Sequence, residues 1–119
     1  MTLAVDVFLR DADGRWKVLD VPEGCNDAAG SEDWRETVWG SAPVRALGAT
    51  YLPVLASGDL YVEAPDVPEF LRETALLREH LEALAAAVGE RSDLVGSRLD
   101  NIEAAALRAR GIGGGVLIW

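Results

Sequence analysis

The chain has 119 residues, half of them hydrophobic, which suffices for one buried core but not for two. Its 20 acidic and 11 basic residues give a formal net charge of −9 at pH 7, which repels nucleic-acid phosphates and anionic membranes. We therefore expect one domain over residues 1–119 that binds neither nucleic acid nor membrane. A lone cysteine, the absence of a long apolar run and the absence of a signal-peptide pattern predict a soluble cytoplasmic protein.

The first third of the chain predicts a β-hairpin followed by a short helix. Alternating apolar residues over 3–9 and a second apolar run over 15–21 flank DADG, whose glycine suits a tight turn. The acidic stretch that begins at Ser31 predicts a helix over 32–39, because a serine cap and early acids favour a helix start. A further helical turn is expected over 44–47.

The middle of the chain predicts a second hairpin. Apolar segments over 50–56 and 60–64 flank the turn sequence SGD. Pro53 cannot donate a hydrogen bond to a neighbouring strand, so we expect the first of these strands to lie at an edge or to carry a bulge.

The last half predicts two long helices and a final strand. Apolar residues recur at spacings of four and three over 66–88 and again over 92–110, each before a glycine. The closing run VLIW is interpreted as a buried strand. The predicted order is ββαββααβ, an α+β fold in which the pair of C-terminal helices covers an antiparallel sheet of about five strands.

No motif predicts catalysis, a metal site or a cofactor. His80 is the only histidine, and Cys25 has acidic neighbours that disfavour a reactive thiolate. The DADG turn lacks the later ligands of a calcium loop, and the glycines of 111–115 follow a helix rather than precede one, unlike a phosphate-binding loop. We expect no catalytic residue, no metal ligand and no cofactor.

Two tryptophans in the acidic stretch carry the functional hypothesis. On an α-helix, Trp34 and Trp39 would differ by roughly 140° around the axis, so one ring should be partly exposed and available to a partner. The alternative is that Trp39 packs in a crevice beside the second hairpin. Trp16 and Trp119 are expected in the core or at a sheet edge. The predicted partner-binding residues are Trp39, Glu32, Asp33, Glu36 and Arg35.

The leading functional hypothesis is a non-enzymatic, acidic protein-binding module. Residues 1–66 contain 12 acids and 5 bases, so this half carries most of the negative charge and favours a partner with a basic surface. The sharpest form is an immunity or antitoxin-type inhibitor of a toxin enzyme, acting as a monomer or weak homodimer. One alternative is a ligand-binding or enzymatic cavity between sheet and helices that uses Tyr51, Tyr61, Asp59 and His80. Another is an assembly subunit that associates through the long helix and the final strand.

Overall fold

A computed structural model describes residues 2–119 and confirms the α+β prediction. Within these residues, five strands form one antiparallel sheet and four α-helices lie mostly in the C-terminal half. The strands are β1 (Thr2–Arg10), β2 (Trp16–Val18), β3 (Ala28–Ser31), β4 (Leu60–Val62) and β5 (Gly115–Ile118). The α-helices are α1 (Ala42–Ala46), α2 (Val67–Glu79), α3 (Leu81–Val88) and α4 (Ser92–Ile112).

The sheet is built around the first and last strands of the chain. Its strand order is β2-β1-β5-β4, and β3 pairs with the other end of β1. Phe8 pairs with Gly115 between β1 and β5, while Tyr61 pairs with Leu117 between β4 and β5. The predicted first hairpin and the buried final strand are confirmed, although β2 is shorter than the predicted 15–21.

The second predicted hairpin is wrong. Leu52–Ala56 is a 3₁₀ helix, where Pro53 is tolerated because first-turn N–H groups need no partner within the helix. The buried Glu73 carboxylate accepts hydrogen bonds from the backbone N–H groups of Thr50, Tyr51 and Leu52, at 2.6 to 3.0 Å. A contact made across more than 20 residues therefore fixes the helical start, and β4 pairs with β5 instead.

Strand β3 was not predicted because its sequence, AAGS, shows no apolar alternation. Gly30 adopts a φ of +115° in this strand, and a Cβ there would lie 2.4 Å from Trp34 Cε3. The missing side chain therefore makes room for the Trp34 ring.

The predicted helix over 66–88 is two helices that meet at His80. The His80 N–H bonds to the carbonyls of Leu76 and Leu77, and α3 then packs against α1 and α4. A second short 3₁₀ helix, Ala64–Asp66, precedes α2. Within residues 2–119, no helix has both the length and the apolar character needed to cross a membrane.

The main core lies between one face of the sheet and α4. Val5 and Val7 of β1 join Val116 and Ile118 of β5 on this inner face. Leu99 and Ile102 are among the fully buried α4 residues in the same cluster. The side chains that alternate with the inner set point to the opposite face of the sheet.

Candidate functional site

Both tryptophans of the acidic stretch are buried, so the expectation that one ring is partly exposed is wrong, and the burial of Trp39 agrees with the alternative that this ring packs inside the protein. Trp39 is 0% exposed and Trp34 is 4% exposed, and their rings meet edge to face with centroids 5.7 Å apart. The Trp39 Nε1 donates a hydrogen bond to the Ala29 carbonyl at 2.8 Å. The prediction that Trp39 is an exposed anchor is wrong.

Trp34 and Trp39 can both be buried because the segment that joins them is not a regular α-helix. Residues 35–39 form a π-helical turn, in which the Gly40 N–H bonds to the carbonyl of Arg35, five residues earlier, at 2.9 Å. A turn closed by such bonds brings residues five apart to the same side. Trp34 and Trp39 can then face one core.

The acidic residues of this segment remain at the surface, and we call Glu32, Asp33 and Glu36 the acidic shoulder. Arg35 is only part-exposed and pairs with Glu32 and Asp59, while also donating to the Gly58 carbonyl at 2.7 Å. Burial lowers the pKa of Arg35, but its hydrogen bonds to Asp59 and Glu32 outweigh burial and raise the pKa overall. Arg35 therefore fastens the shoulder to the loop before β4.

The four polar residues of the cavity alternative do not converge. Tyr61 lies on the face of the sheet opposite the core, and His80 lies at the junction of two helices. Tyr51 stacks edge to face on Phe70, with centroids 5.7 Å apart, and Asp59 pairs with Arg35. The space between sheet and helices is filled by the apolar core.

The outer face of the sheet carries a second, smaller apolar cluster. Phe8 and Leu117 are buried there but do not belong to the main core. Three exposed aromatic residues surround them: Trp16 at 42%, Tyr61 at 47% and Trp119 at 42%. We call these three residues the aromatic face. Trp16 lies on the edge strand β2, in agreement with the prediction of a core or sheet-edge position, but the exposure of Trp16 and Trp119 was not predicted.

The aromatic face is ordered by ring contacts. Trp16 meets Phe8 and Tyr61 edge to face, each with centroids 5.9 Å apart. Gly115 makes this packing possible, because a Cβ there would lie 2.4 Å from Phe8 Cζ and 2.5 Å from the Val62 carbonyl. The exposed rings therefore rest on a fixed base of strand residues.

Polar contacts hold both ends of this surface. Arg10 lies 5.5 Å above the Phe8 ring centroid and donates two hydrogen bonds to the Glu63 carboxylate, at 2.6 and 2.9 Å. The bond from Arg10 lowers the pKa of Glu63. The Trp119 Nε1 donates to Asp6 Oδ2 at 2.8 Å, which restricts the orientation of that ring.

Comparison with protein-family models, curated proteins and solved structures finds no match to this chain. Within residues 2–119, no group of three or more histidine, cysteine or acidic side chains is arranged to hold a metal ion.

The position of one residue beneath the aromatic face, Phe8, could be predicted from the sequence. In the first strand, Asp6 and Phe8 alternate with the apolar residues of the inner face. The sequence therefore predicts one aromatic side chain, that of Phe8, on the outer face of the sheet. The convergence of Trp16, Tyr61 and Trp119 depends on strand order, because these residues are up to 103 positions apart in the chain. Local patterns do not encode that order.

Proposed function

We propose that this chain is a non-enzymatic module that binds a protein with a basic surface, and that the aromatic face is the contact. The observation that supports the proposal most strongly is the cluster of three aromatic residues on the outer face of the sheet, where Trp16, Tyr61 and Trp119 remain 42 to 47% exposed. Tryptophan and tyrosine are enriched at the energetic centres of protein interfaces, since each buries a large area with few rotatable bonds.

The packing of these rings supports binding rather than incidental exposure. Trp16 is held between Phe8 and Tyr61, and Trp119 is held by Asp6. Side chains already restricted in the free protein lose little conformational entropy on association. A pre-ordered aromatic surface therefore favours tight binding.

The charge of the chain selects the class of partner. At a net charge of −9, a second copy or an anionic partner is repelled, while a basic protein is attracted over several ångströms. Arg35 pairs both with Glu32 of the acidic shoulder and with Asp59, which immediately precedes β4. Glu32, Asp33 and Glu36 form the negatively charged rim that steers the basic partner, as the sequence predicts.

The narrower form of the proposal is that the partner is a toxin enzyme with a cationic active site, which this chain blocks as an immunity protein or antitoxin would. A small acidic domain without catalytic motifs fits that role. We place the encounter in the cytoplasm, where a free thiol such as that of Cys25 stays reduced.

The test is affinity capture with matched variants. Wild-type protein, the double variant Trp16→Ala/Tyr61→Ala and the control Val54→Ala/Leu107→Ala are immobilised and exposed to native lysate. The control residues are 42% and 44% exposed but lie on the 3₁₀ helix and α4. Circular dichroism checks that all three proteins are folded.

The proposal predicts that wild type and control retain the same basic protein in stoichiometric amount, whereas the double variant loses it. Inhibition of that protein's enzymatic activity would support the narrower form. Equal capture by all three proteins, or capture of acidic proteins only, would refute the aromatic face as the contact.

A further inference from the structure

A pocket of about 320 Å³ lies at the edge of β1, between the segment that follows β2 and the end of α4. Its walls come from Val7 of β1, from Leu19, Val21 and Pro22 after β2, and from Ile112 at the end of α4. The walls are mainly apolar, and the volume is at the lower end for small-molecule sites, roughly 300 to 1,000 Å³. A pocket of this size suits one long side chain better than a large ligand.

Two acidic residues and one arginine are among the residues that line the pocket. Asp6, Asp20 and Arg108 line it, so its formal charge is negative. Asp6 uses only Oδ2 to accept the Trp119 hydrogen bond. Within residues 2–119, Asp20 and Arg108 take part in none of the ion pairs. Carboxylate oxygens at Asp6 and Asp20 are therefore available to a donor.

We propose that this pocket binds an aliphatic cation, namely a lysine or arginine side chain supplied by the basic partner, an inference that rests on the proposed function. The methylene groups of such a side chain would contact the apolar walls while its charged end reaches Asp6 and Asp20. An aliphatic carboxylate could pair with Arg108 but would meet two carboxylates in a chain of net charge −9.

Asp6 connects the pocket to the aromatic face. It lines the pocket and also accepts the hydrogen bond from Trp119. A partner that covers Trp119 is therefore within reach of the pocket with a neighbouring basic side chain. The aromatic face supplies contact area and the pocket supplies preference for a cation.

The test uses small probes and not the partner. n-Pentylamine, 1-pentanol and pentanoate are titrated separately into the isotopically labelled protein, and the methyl signals of Val7, Leu19, Val21 and Ile112 are followed by NMR. The proposal predicts saturable shifts with pentylamine at lower concentration than with pentanol, and weaker or no shifts with pentanoate.

Variants assign the preference to individual charges. Asp20→Asn should weaken pentylamine binding by about two- to fivefold, the range of an exposed ion pair. Arg108→Ala should strengthen it, and Glu82→Gln, an exposed control on α3, should leave it unchanged. Equal shifts by pentanol and pentylamine, a preference for pentanoate, or no shift with any probe would overturn the proposal.

The two proposals fail separately. If the Trp16→Ala/Tyr61→Ala variant loses partner capture but the protein does not respond to pentylamine, the aromatic face is supported as the contact and the cation pocket is refuted. If pentylamine binds specifically but that variant still captures the partner, the aromatic face is refuted as the contact and the cation pocket is supported.

Discussion

Trp34 and Trp39 pack edge to face inside the core, 5.7 Å apart between ring centroids, although five positions separate them in a helical segment. The π-helical turn makes this possible by placing both rings on one side. Neither ring is available to a partner, whereas Trp16, Tyr61 and Trp119 are exposed on the other face of the sheet.

Replacement of Trp39 tests its burial. Trp39→Ala should lower the free energy of unfolding by about 3 to 5 kcal/mol, as for other large aromatic side chains removed from cores. Trp39→Phe should lose less, since it removes only part of the ring and the hydrogen bond to the Ala29 carbonyl. Urea unfolding monitored by circular dichroism measures both. An unchanged midpoint for Trp39→Ala would contradict the structure.

Replacing two glycines with alanine should change the free energy of unfolding in opposite directions. Gly115→Ala should destabilise by about 1 to 3 kcal/mol, since the new Cβ meets the Phe8 ring and the Val62 carbonyl. Gly111→Ala lies in α4 with open space around it and should stabilise by roughly 0.5 to 1 kcal/mol. Thermal unfolding of both variants distinguishes the two effects, and a Gly115→Ala protein as stable as wild type would show that the packing under Trp16 is loose.

The buried carboxylate of Glu73 should be essential for the segment before β4. Glu73→Gln keeps one oxygen acceptor but presents an amide to the Leu52 N–H, so a loss of about 2 to 3 kcal/mol is expected. The control Glu69→Gln changes an exposed helix ion pair with Arg72 and should cost less than about 0.5 kcal/mol. Comparable losses in the two variants would contradict the capping role of Glu73.

The pair of Arg10 and Glu63 predicts a small pH effect at the aromatic face. Because the folded-state pKa of Glu63 is lowered, its contribution is complete above the ordinary glutamate pKa and is lost as pH falls through the lowered value. Both side chains are about two-fifths exposed, so Glu63→Gln should cost at most about 1 kcal/mol at neutral pH. Unfolding measured across acidic pH should show the difference from wild type vanishing below the lowered pKa. A difference that grows with acidity would have the wrong sign.

The sequence was informative where a pattern is local. Apolar alternation found β1, and four-three spacing found the helical half, because each periodicity depends on neighbouring residues. The sequence patterns did not predict local conformation where contacts with residues distant in the chain determine it. Glu73 determines the conformation of residues 50–52 from α2, and the break at His80 has no glycine or proline to mark it.

The candidate site was less predictable than the fold. The exposure of Trp39 was inferred from α-helical geometry, and the short stretch RETVW gives no local sign of a π-helical turn. The aromatic face assembles only when β5 lies between β1 and β4, bringing Trp119 and Tyr61 beside residues of the first hairpin. The acidic residues Glu32, Asp33 and Glu36 were correctly expected to be at the surface, and their role in binding stays a prediction.

Hydroxyl-radical footprinting of the four tryptophans, with and without the captured basic partner, tests directly whether the partner covers the aromatic face. In the free protein, Trp16 and Trp119 should be oxidised readily, whereas Trp34 and Trp39 should be protected as internal controls. In the complex, oxidation of Trp16 and Trp119 should fall sharply, because the partner covers both rings. Unchanged oxidation of both residues in a saturated complex would contradict it.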